Sequence, residues 1–594
     1  MSRIAGLALV AVLMVLVAAF PARAQVPDPP KTAVAEGKGG SAATVDPLAT
    51  QAAIDTLRSG GNAVDAAVAA AGVLGVVEPF SCGIGGGGFM VVYDARRRKV
   101  DTIDSREEAP AGMTETSFLA SDGTPLPFDE ARVGGLSVGV PGTVSGWETA
   151  LNRYGTRRLS SLLRPAERIA RRGFTIDATF NGQVAANADL FDDFPASADL
   201  YLTPGGTAKP AGSVQVNRDL ARTYKRIGRN PDRFYRGGIA RDISQTVRHP
   251  PAVAPDVAGK PRTIHAGSMT PADLAQYDAI RRDPTRIGYR GLDIYGMAPP
   301  SSGGSTIGEA LNIMEGFPRT EARDLKLHQY LEASKLAYAD RGQFLGDPAF
   351  VDVPLRGLLS DGFAAERRSL ITDTALPAPQ PPGDPLPFNG GGGHGHGYGK
   401  VSSDAEGPST THLTVADRWG NVVTYTFTIE QIGGSGITVP GRGFLLNNEL
   451  TDFNFTAGTA NSPAPGKRPR SSMAPTLVFD HGRVAMALGS PGGSTIITTV
   501  LQILVNSIDF RMSLPDALAA PRASQRNSAT TDAEPAFLAH DGPALEARGH
   551  KFVVPVDGYI GVATGIRFLH GGRQQSVAEP TRRGGGSAMV VRPG

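Results

Sequence analysis

The chain has 594 residues and a formal net charge of +2, with 59 basic and 57 acidic side chains. These charges are mixed along the chain, so the basic stripe typical of a nucleic-acid-binding protein is absent from the sequence. Glycine (74) and proline (46) form about a fifth of the chain, against roughly 12% in average proteins, which predicts many turns. The 41% hydrophobic content is still sufficient for a globular core.

The N-terminus has the features of an export signal. Arg3 precedes an apolar run from Ile4 to Phe20, and the small residues Ala22 and Ala24 follow this run. This order predicts a secretory signal, residues 1–24, that is cleaved after Ala24, and hence a secreted or periplasmic protein. The alternative is an uncleaved membrane anchor, because the apolar run is at the short limit of a membrane span.

Cys82 is the only cysteine, which excludes an intramolecular disulfide. It lies in EPFSCGIGGGGF with no basic neighbour in sequence, so we interpret it as a packing residue. The adjoining GIGGGG run invites comparison with a phosphate-binding loop. Such a loop follows a strand and opens a helix, whereas here a helix is predicted before the glycines and a strand after them, which argues against nucleotide binding.

Two adjoining helices are predicted near the start of the mature chain. ATQAAIDTLRSGG indicates a helix that ends at Gly60 and Gly61. Asn62 is expected to cap a second, alanine-rich helix with Asp65 in its first turn. This second helix has little polar surface and should be buried. A tight turn is then expected to lead into a buried strand that ends near Tyr93.

The middle of the chain ends in a marked change of composition. His328–Pro348 is predicted to be an amphipathic helix that ends at a turn. Residues 375–409 are proline-rich and then glycine-rich, which predicts a flexible segment. His394 and His396 lie in this segment, where two histidines in a flexible tract make a poor metal site.

The second half alternates strand-like stretches with Asp, Asn and Gly turns, and a helix follows over STIITTVLQILVNSID. The predicted strand regions are THLTVADRWGNVVTYTFTIEQ, GITVPGRGFLLNNELTDFNF and APTLVFDHGRVAMALGSPGG. Strands enclosed by helices predict a layered α/β architecture.

The first of these regions predicts a β-hairpin whose turn is centred on Trp419. Residues whose numbers sum to 838 then lie opposite each other, so Thr410 faces Thr428. The predicted strands are 410–416 and 422–429. Alternation places one set of side chains on a shared polar face: Thr424, Thr426, Thr428 and Glu430.

Thr410 is a candidate nucleophile. A threonine hydroxyl is weakly nucleophilic unless a base lies beside it, and a chain that begins with threonine supplies its own base, the α-amine. The glycine-rich lead-in at 390–407 would let a peptide bond bend into its own active site. Ser409–Thr410 is therefore a candidate self-cleavage junction between a large part, 25–409, and a small catalytic part, 410–594. The simpler alternative is that Thr410 only begins a strand.

Many colinear blocks resemble the γ-glutamyltranspeptidases, members of the N-terminal-nucleophile hydrolases. These blocks run from about Pro47 to Gly565 and include DSREEAP, APPSSGG, AYADRGQFLGDP, TTHLTVAD, GFLLNNELTDF, PGKRPRSSMAPTLV and GSPGGSTIITTVLQ. The resemblance implies an αββα sandwich in which the large and small chains form one compact unit. It also implies a γ-glutamyl donor of the glutathione class, water or an amino acid or dipeptide as acceptor, and no cofactor or metal.

The resemblance further implies roles for individual residues. Thr410 matches the nucleophile and new N-terminus, and Thr428 matches the threonine that hydrogen-bonds it. The implied binding residues are Arg106, Ser471 and Ser472 for the α-carboxylate and Glu449 and Asp452 for the α-ammonium. Gly492 and Gly493 match the oxyanion hole. Independently of the resemblance, N–H groups ahead of the helix that begins near Ser494 would favour an oxyanion.

Each of these residues also has a purely structural alternative. Arg106 would then form a surface ion pair, and the two serines would be turn formers. Glu449 and Asp452 would cap a helix or turn, and the glycines would form a plain tight turn. Ser301 and Ser302 of the PPSSGG stretch are interpreted as structural.

The sequence departs from the family pattern at two places. Glu430 stands where well-studied members carry asparagine, and three consequences remain open: pairing with Arg106, stronger ammonium recognition or an altered acceptor preference. The segment from Asp452 to Ser471 is shorter than in members that carry a lid over the pocket. A site without a lid is expected to be open, so hydrolysis should compete well with transpeptidation.

Two other functions fit part of the sequence. An acylase of the same fold would cleave glutaryl-type (cephalosporin) amides. Such substrates lack the α-ammonium that Glu430, Glu449 and Asp452 would bind, which argues against this function. A non-catalytic secreted binding protein would leave the Ser409–Thr410 bond intact.

Overall fold

The computed structural model describes residues 28–253, 262–319, 322–390 and 409–594. The predicted signal, residues 1–24, and the histidines His394 and His396 lie outside these ranges. Among the described residues, no helix combines the length and the apolar character needed to cross a membrane.

The strands are β1 Val34–Thr44, β2 Gly87–Asp94, β3 Lys99–Ser105, β4 Phe174–Thr175, β5 Val214–Gln215, β6 Ile280–Arg282, β7 Thr285–Tyr289, β8 Leu292–Gly296, β9 Thr411–Asp417, β10 Val422–Thr428, β11 Thr476–Asp480, β12 Arg483–Gly489, β13 Ala523–Ser524, β14 Thr531–Ala533, β15 Phe552–Val553, β16 Thr564–Phe568, β17 Gln574–Ala578 and β18 Ser587–Pro593.

The α-helices span Pro47–Arg58, Ala63–Val77, Phe128–Arg132, Thr143–Tyr154, Leu159–Leu162, Arg164–Arg172, Ala178–Ala186, Ala188–Asp192, Pro195–Tyr201, Arg218–Arg229, Asp232–Tyr235, Gly238–Arg248, Pro271–Gln276, Gly303–Glu315, Arg323–Phe344, Leu355–Leu358, Asp361–Arg368, Thr495–Ile508, Leu514–Ala519 and Pro535–Glu546. Short 3₁₀ helices span Leu386–Phe388, Glu449–Asp452, His570–Gly572 and Arg582–Gly584.

One curled antiparallel sheet forms the centre of the molecule. Its strand order is β6-β3-β2-β10-β9-β1-β17-β16-β12-β11-β8-β7, and β18 also pairs with β1. The sheet curls so that β9 and β10 pack face to face on β12 and β16. Helices Pro47–Arg58 and Ala63–Val77 cover one outer face, and helices Gly303–Glu315 and Thr495–Ile508 cover the other. The predicted αββα layering is thus confirmed.

The two predicted N-terminal helices are present with their predicted ends. Pro47–Arg58 stops just before Gly60 and Gly61, and Asn62 forms a capping box with Asp65 at the start of Ala63–Val77. Every residue of the second helix is buried, as its alanine-rich composition predicts. This helix packs on β9 and β10 and therefore supports the strands that carry the candidate nucleophile.

Two predictions of secondary structure are wrong in part. The predicted amphipathic helix spans Arg323–Phe344, and its residues from 326 to 341 are buried on all sides because other helices enclose it. The predicted strand region GITVPGRGFLLNNELTDFNF contains only an isolated bridge between Thr438 and Leu445 and then a 3₁₀ turn. Gly441 and Gly443 both have positive φ there, which turns the chain instead of extending it.

The described start of the predicted flexible segment, residues 375–390, is anchored to the protein body. The Ala375 N–H donates to the Arg548 carbonyl at 2.7 Å, and the Gln380 N–H donates to the Asn527 side chain at 2.6 Å. The Gly383 N–H donates to the Asp340 carboxylate at 2.5 Å. These contacts hold residues 375–390 on the protein body, which differs from the predicted flexibility.

The predicted hairpin register is confirmed. Val422 lies opposite Ala416, and Phe427 lies opposite Thr411, so the paired numbers sum to 838 as expected. The turn is fixed by Asp417, whose carboxylate accepts hydrogen bonds from the Trp419 and Asn421 N–H groups at 2.8 and 3.0 Å. Such an Asx turn explains why Asp begins this connection.

His412 lies between the two layers of the sheet. Its Nδ1 is 2.8 Å from the Thr426 hydroxyl, and its Nε2 is 3.1 Å from the Thr424 hydroxyl. Burial in this site lowers the pKa of His412 from 6.5 to about 3. The neutral ring is therefore part of the folded state, and its threonine partners satisfy both nitrogens.

The free energy of unfolding should fall as the pH drops below 6.5. In the unfolded chain His412 then binds a proton, whereas in the folded protein it stays neutral until about pH 3. The slope from one such group is about 1.4 kcal/mol per pH unit. We expect His412→Gln to show a shallower pH dependence in urea unfolding, and His481→Gln, at an exposed histidine, to match the parent. An unchanged slope in His412→Gln would contradict the assignment.

Candidate active site

The open end of the hairpin brings the two predicted catalytic threonines together. The Thr410 hydroxyl donates to Thr428 Oγ1 at 3.0 Å, which is the pairing that the register predicts. Thr428 Oγ1 also accepts from the Glu430 N–H at 2.9 Å. Thr410 has φ of +87°, and a β-branched residue in this region of backbone space is strained. Thus the strain is located at the predicted junction.

The carbonyl of the predicted cleavage site lies at the predicted oxyanion hole. Ser409 O accepts a hydrogen bond from the Gly492 N–H at 3.0 Å. Gly492 has φ of +138°, and a Cβ built there would lie 2.7 Å from Thr495 Oγ1, so only glycine fits. The helix Thr495–Ile508 begins directly after this turn. Its N-terminal dipole therefore adds to the donor at the carbonyl oxygen.

A small, open pocket lies beside the two threonines. All predicted site residues except Ser409 and Gly492 line it, and Met473 and Ile496, which sequence reasoning missed, complete its wall. The lining residues are Arg106, Thr410, Thr428, Glu430, Glu449, Asp452, Ser471, Ser472, Met473, Gly493 and Ile496. Residues from β10, the 3₁₀ turn, the helix Thr495–Ile508 and five loop segments thus converge on one cavity.

Arg106 is at the centre of the charges in this pocket. Its guanidinium forms ion pairs with Glu449 and Asp452 and donates to the Pro469 and Arg470 carbonyls at 3.1 and 2.8 Å. Burial opposes the charge, but the two carboxylates outweigh burial and raise the pKa of Arg106. The surface ion pair considered for Arg106 is therefore wrong, because the side chain is buried.

Glu107 is a buried carboxyl that sequence reasoning missed. It lies beside Arg106 and Glu449, and burial raises its pKa to about 8 although Arg106 opposes the rise. Burial also raises the pKa of Glu449 well above its usual value. The two carboxyls therefore hold a proton between them near neutral pH. The only sign of Glu107 in the sequence was the pair of adjacent glutamates in DSREEAP.

Glu430 lines the pocket next to Thr428. Its carboxylate accepts hydrogen bonds from the Asn448 and Gln431 side chains at 2.5 and 3.2 Å. Glu430 has φ of +77°, a region that asparagine adopts more readily than glutamate. With Glu449 and Asp452 it places three carboxylates in the pocket wall, where they can accept hydrogen bonds from a ligand with a positive group.

Ser471 and Ser472 are held by residues that do not line the pocket. Ser471 O accepts from the Ser302 hydroxyl at 2.7 Å, and Ser472 Oγ accepts from Arg341 Nη2 at 2.8 Å. On the other side, Arg583 Nη1 donates to the Thr410 carbonyl at 3.0 Å. Sequence reasoning assigned no role to Arg341 or Arg583, because both come from segments far away along the chain.

Outside this pocket, the described residues contain one compact group of potential metal ligands, namely His328, Glu332 and His550. Both nitrogens of His328 and the carboxylate of Glu332 already have hydrogen-bond partners within the protein. His328 Nδ1 is 2.8 Å from His550 Nε2, and His328 Nε2 is 2.7 Å from the Thr372 carbonyl oxygen. Lys335 donates to Glu332 at 2.7 Å and balances its charge. This group is a hydrogen-bond network that needs no metal ion to balance it.

Removal of the Arg106 cation should destabilise the uncleaved protein strongly. In a Thr410→Ala background, Arg106→Met is expected to lower the free energy of unfolding by about 3–5 kcal/mol, because the buried Glu449 and Asp452 lose the cation with which they form ion pairs. Arg286→Met removes an exposed partner of Asp293 and should cost less than about 1 kcal/mol. Urea unfolding at neutral pH measures both, and equal losses would contradict this view of the pocket.

Comparison with known proteins agrees with this geometry. A sequence model of the gamma-glutamyltranspeptidase family matches residues 49–589. The glutathione hydrolase proenzyme of Bacillus subtilis (strain 168) is 40% identical over 98% of both chains. The acylase ACY 1 proenzyme of Pseudomonas sp. (strain SE83) is 38% identical over 87% of this chain and 88% of its own.

A solved structure extends the likeness to three dimensions. The cephalosporin acylase from Bacillus halodurans superposes with a TM-score of 0.81 at 30% identity, over 95% of this chain and 98% of its own. Similarity thus covers the helices, the curled sheet and the segments that form the pocket. From the match along residues 49–589 and these relatives, the chain belongs to the γ-glutamyltranspeptidase family.

Proposed function

We propose that the chain cuts itself before Thr410 and that the product transfers the γ-glutamyl group of glutathione-like compounds to water or to an amino-acid or dipeptide acceptor. One observation carries the proposal. The Ser409 carbonyl oxygen is 3.0 Å from the Gly492 N–H, while the hydroxyl of the next residue lies in the hairpin beside Thr428. A peptide carbonyl, a nucleophile and an oxyanion donor therefore meet at one bond.

The cleavage step follows from this arrangement. Attack of Thr410 Oγ1 on the Ser409 carbonyl carbon forms an ester, breaks the C–N bond and releases the Thr410 nitrogen as an amine. Water then hydrolyses the ester, which leaves a carboxylate on Ser409. The positive φ of Thr410 stores strain of the order of 1–3 kcal/mol, and cleavage relieves it.

After cleavage, the same groups serve the enzymatic reaction. The free α-amine of Thr410 is the base for its own hydroxyl, and the γ-glutamyl carbonyl of the substrate takes the position of the Ser409 carbonyl. The Gly492 and Gly493 N–H groups would stabilise the oxyanion, and such a donor typically contributes about 3–4 kcal/mol to lowering the barrier. The leaving amine departs, and water or an acceptor amine resolves the ester.

The charged pocket supports a γ-glutamyl substrate over a simple acyl group. We assign the α-carboxylate to Arg106, Ser471 and Ser472 and the α-ammonium to Glu449 and Asp452, with Glu430 as an additional acceptor. A zwitterionic end group would bring one negative charge to the arginine and one positive charge to the carboxylates. The proposal includes large and small chains from one precursor, 25–409 and 410–594, exported by the signal at 1–24.

Self-cleavage predicts two fragments in purified active protein, one that begins with Thr410. Thr410→Ala removes the nucleophile and should stay uncut, whereas Thr410→Ser should still cut. Gly492→Ala should block cutting because its Cβ would clash with Thr495 Oγ1, and Gly288→Ala, at a glycine with open space around it, should not. Intact-mass analysis measures all four. Cutting in Thr410→Ala would contradict the proposal.

A second candidate is an acylase for glutaryl-type amides, which the acylase names of two relatives favour. The three carboxylates in the pocket wall, Glu430, Glu449 and Asp452, predict the opposite preference. We expect kcat/KM for γ-glutamyl-p-nitroanilide to exceed that for glutaryl-p-nitroanilide by about 10- to 100-fold, because the second lacks a charged hydrogen bond to the carboxylates. Faster cleavage of the glutaryl compound would instead support the acylase.

A further inference from the structure

Arg341 lies next to Ser472, one of the residues assigned to the α-carboxylate of the substrate. It is on the long buried helix Arg323–Phe344, and its side chain is 1% exposed. Nη2 donates to Ser472 Oγ at 2.8 Å, and Nε donates to Ser302 Oγ at 2.8 Å. Of these partners Ser472 lines the pocket, whereas Arg341 does not. The arginine therefore reaches the site only through other side chains.

Ser302 extends the contact to the neighbouring serine. Its hydroxyl donates to the Ser471 carbonyl at 2.7 Å, and its N–H donates to the same oxygen at 2.7 Å. Arg341 thus holds two consecutive residues, Ser472 through its hydroxyl and Ser471 through its backbone. A second side chain of the helix, Tyr338, lies one turn earlier and donates to the Ser494 carbonyl at 2.5 Å. The helix consequently supports the serines and the turn after the glycines.

The direction of the Arg341–Ser472 bond has a chemical consequence. A guanidinium can only donate hydrogen bonds, so the Ser472 oxygen must accept. The one proton of the Ser472 hydroxyl is then left to point to another acceptor. Because Ser472 lines the pocket with Arg106, the acceptor that fits is an anionic oxygen of the ligand.

We propose that Arg341 is a positioning residue that makes Ser472 a hydrogen-bond donor to the α-carboxylate of the substrate. The inference rests on the proposed function, since it needs a γ-glutamyl substrate with its α-carboxylate near Arg106. It assigns carboxylate recognition to a second arginine that does not touch the substrate. A merely structural arginine would instead support the fold without any preference for a substrate group.

The test compares two substrates with Arg341→Met, Ser472→Ala and the double variant. The substrates are γ-glutamyl-p-nitroanilide and 4-aminobutanoyl-p-nitroanilide, which differ only by the α-carboxylate. We expect Arg341→Met to raise KM for the first by at least about 10-fold, with a smaller change in kcat, because a charged hydrogen bond is lost. For the second substrate both constants should stay within about 2-fold of the parent enzyme's values.

The double variant shows whether Arg341 acts through Ser472. If it does, Arg341→Met combined with Ser472→Ala should be no worse than the more damaging single variant, within about 2-fold. Multiplied losses, or equal losses on both substrates, would overturn the proposal. Arg367→Lys is the control that matches Arg341→Lys, at another buried arginine, which pairs with Asp340 and contacts the Leu336 and Pro381 carbonyls; the ratio of the two substrates should stay unchanged.

Two further measurements keep the outcome decisive. If Arg341→Met fails to fold or to cut, Arg341→Lys keeps a donor and a charge but lacks the fork that reaches two serines. It should still show a larger KM increase for the substrate with the α-carboxylate, and an equal effect on both would overturn the proposal. If the parent enzyme cleaves neither anilide, the proposed function fails first, which separates the two failures.

Discussion

The hydrogen bond between the Ser409 carbonyl and the Gly492 N–H is the constraint on which the account of this protein depends. It holds one peptide bond against the N-terminal end of helix Thr495–Ile508 while the hairpin fixes the neighbouring hydroxyl beside Thr428. Both parts need the curled sheet, because β9 and β10 carry the threonine and β12 leads to the glycine turn on the facing layer. The fold therefore brings the Ser409 carbonyl and the Thr410 hydroxyl, the proposed electrophile and nucleophile, to one bond before any substrate is present.

Charge is the second constraint. Arg106 is surrounded by Glu107, Glu449 and Asp452, and burial keeps a proton on this group near neutral pH by raising the pKa of Glu107 and Glu449. A pocket of this kind suits a ligand that carries both signs of charge, since each sign has a partner in the wall. The same argument separates a γ-glutamyl group from a glutaryl group, which brings only the negative charge.

Much of this arrangement could be predicted from the sequence where local rules apply. The turn centred on Trp419 predicted the hairpin register, and Asn62 with Asp65 marked a helix start that the structure confirms. Contacts across the layers could not be predicted in this way. Arg341 and Ser472 are far apart in sequence, and no periodicity connects them. The region 436–455 was predicted as strand from its composition, but its glycines with positive φ turn the chain.

The most direct test of the central claim is to locate a covalent bond to the nucleophile. The active protein would be treated with a diazoketone analogue of glutamine, digested and mapped by mass spectrometry. The account predicts an adduct on Thr410 at the first position of the C-terminal fragment, and none in protein that carries Thr410→Ala. An adduct on another residue, or on a chain still intact through Ser409–Thr410, would contradict it.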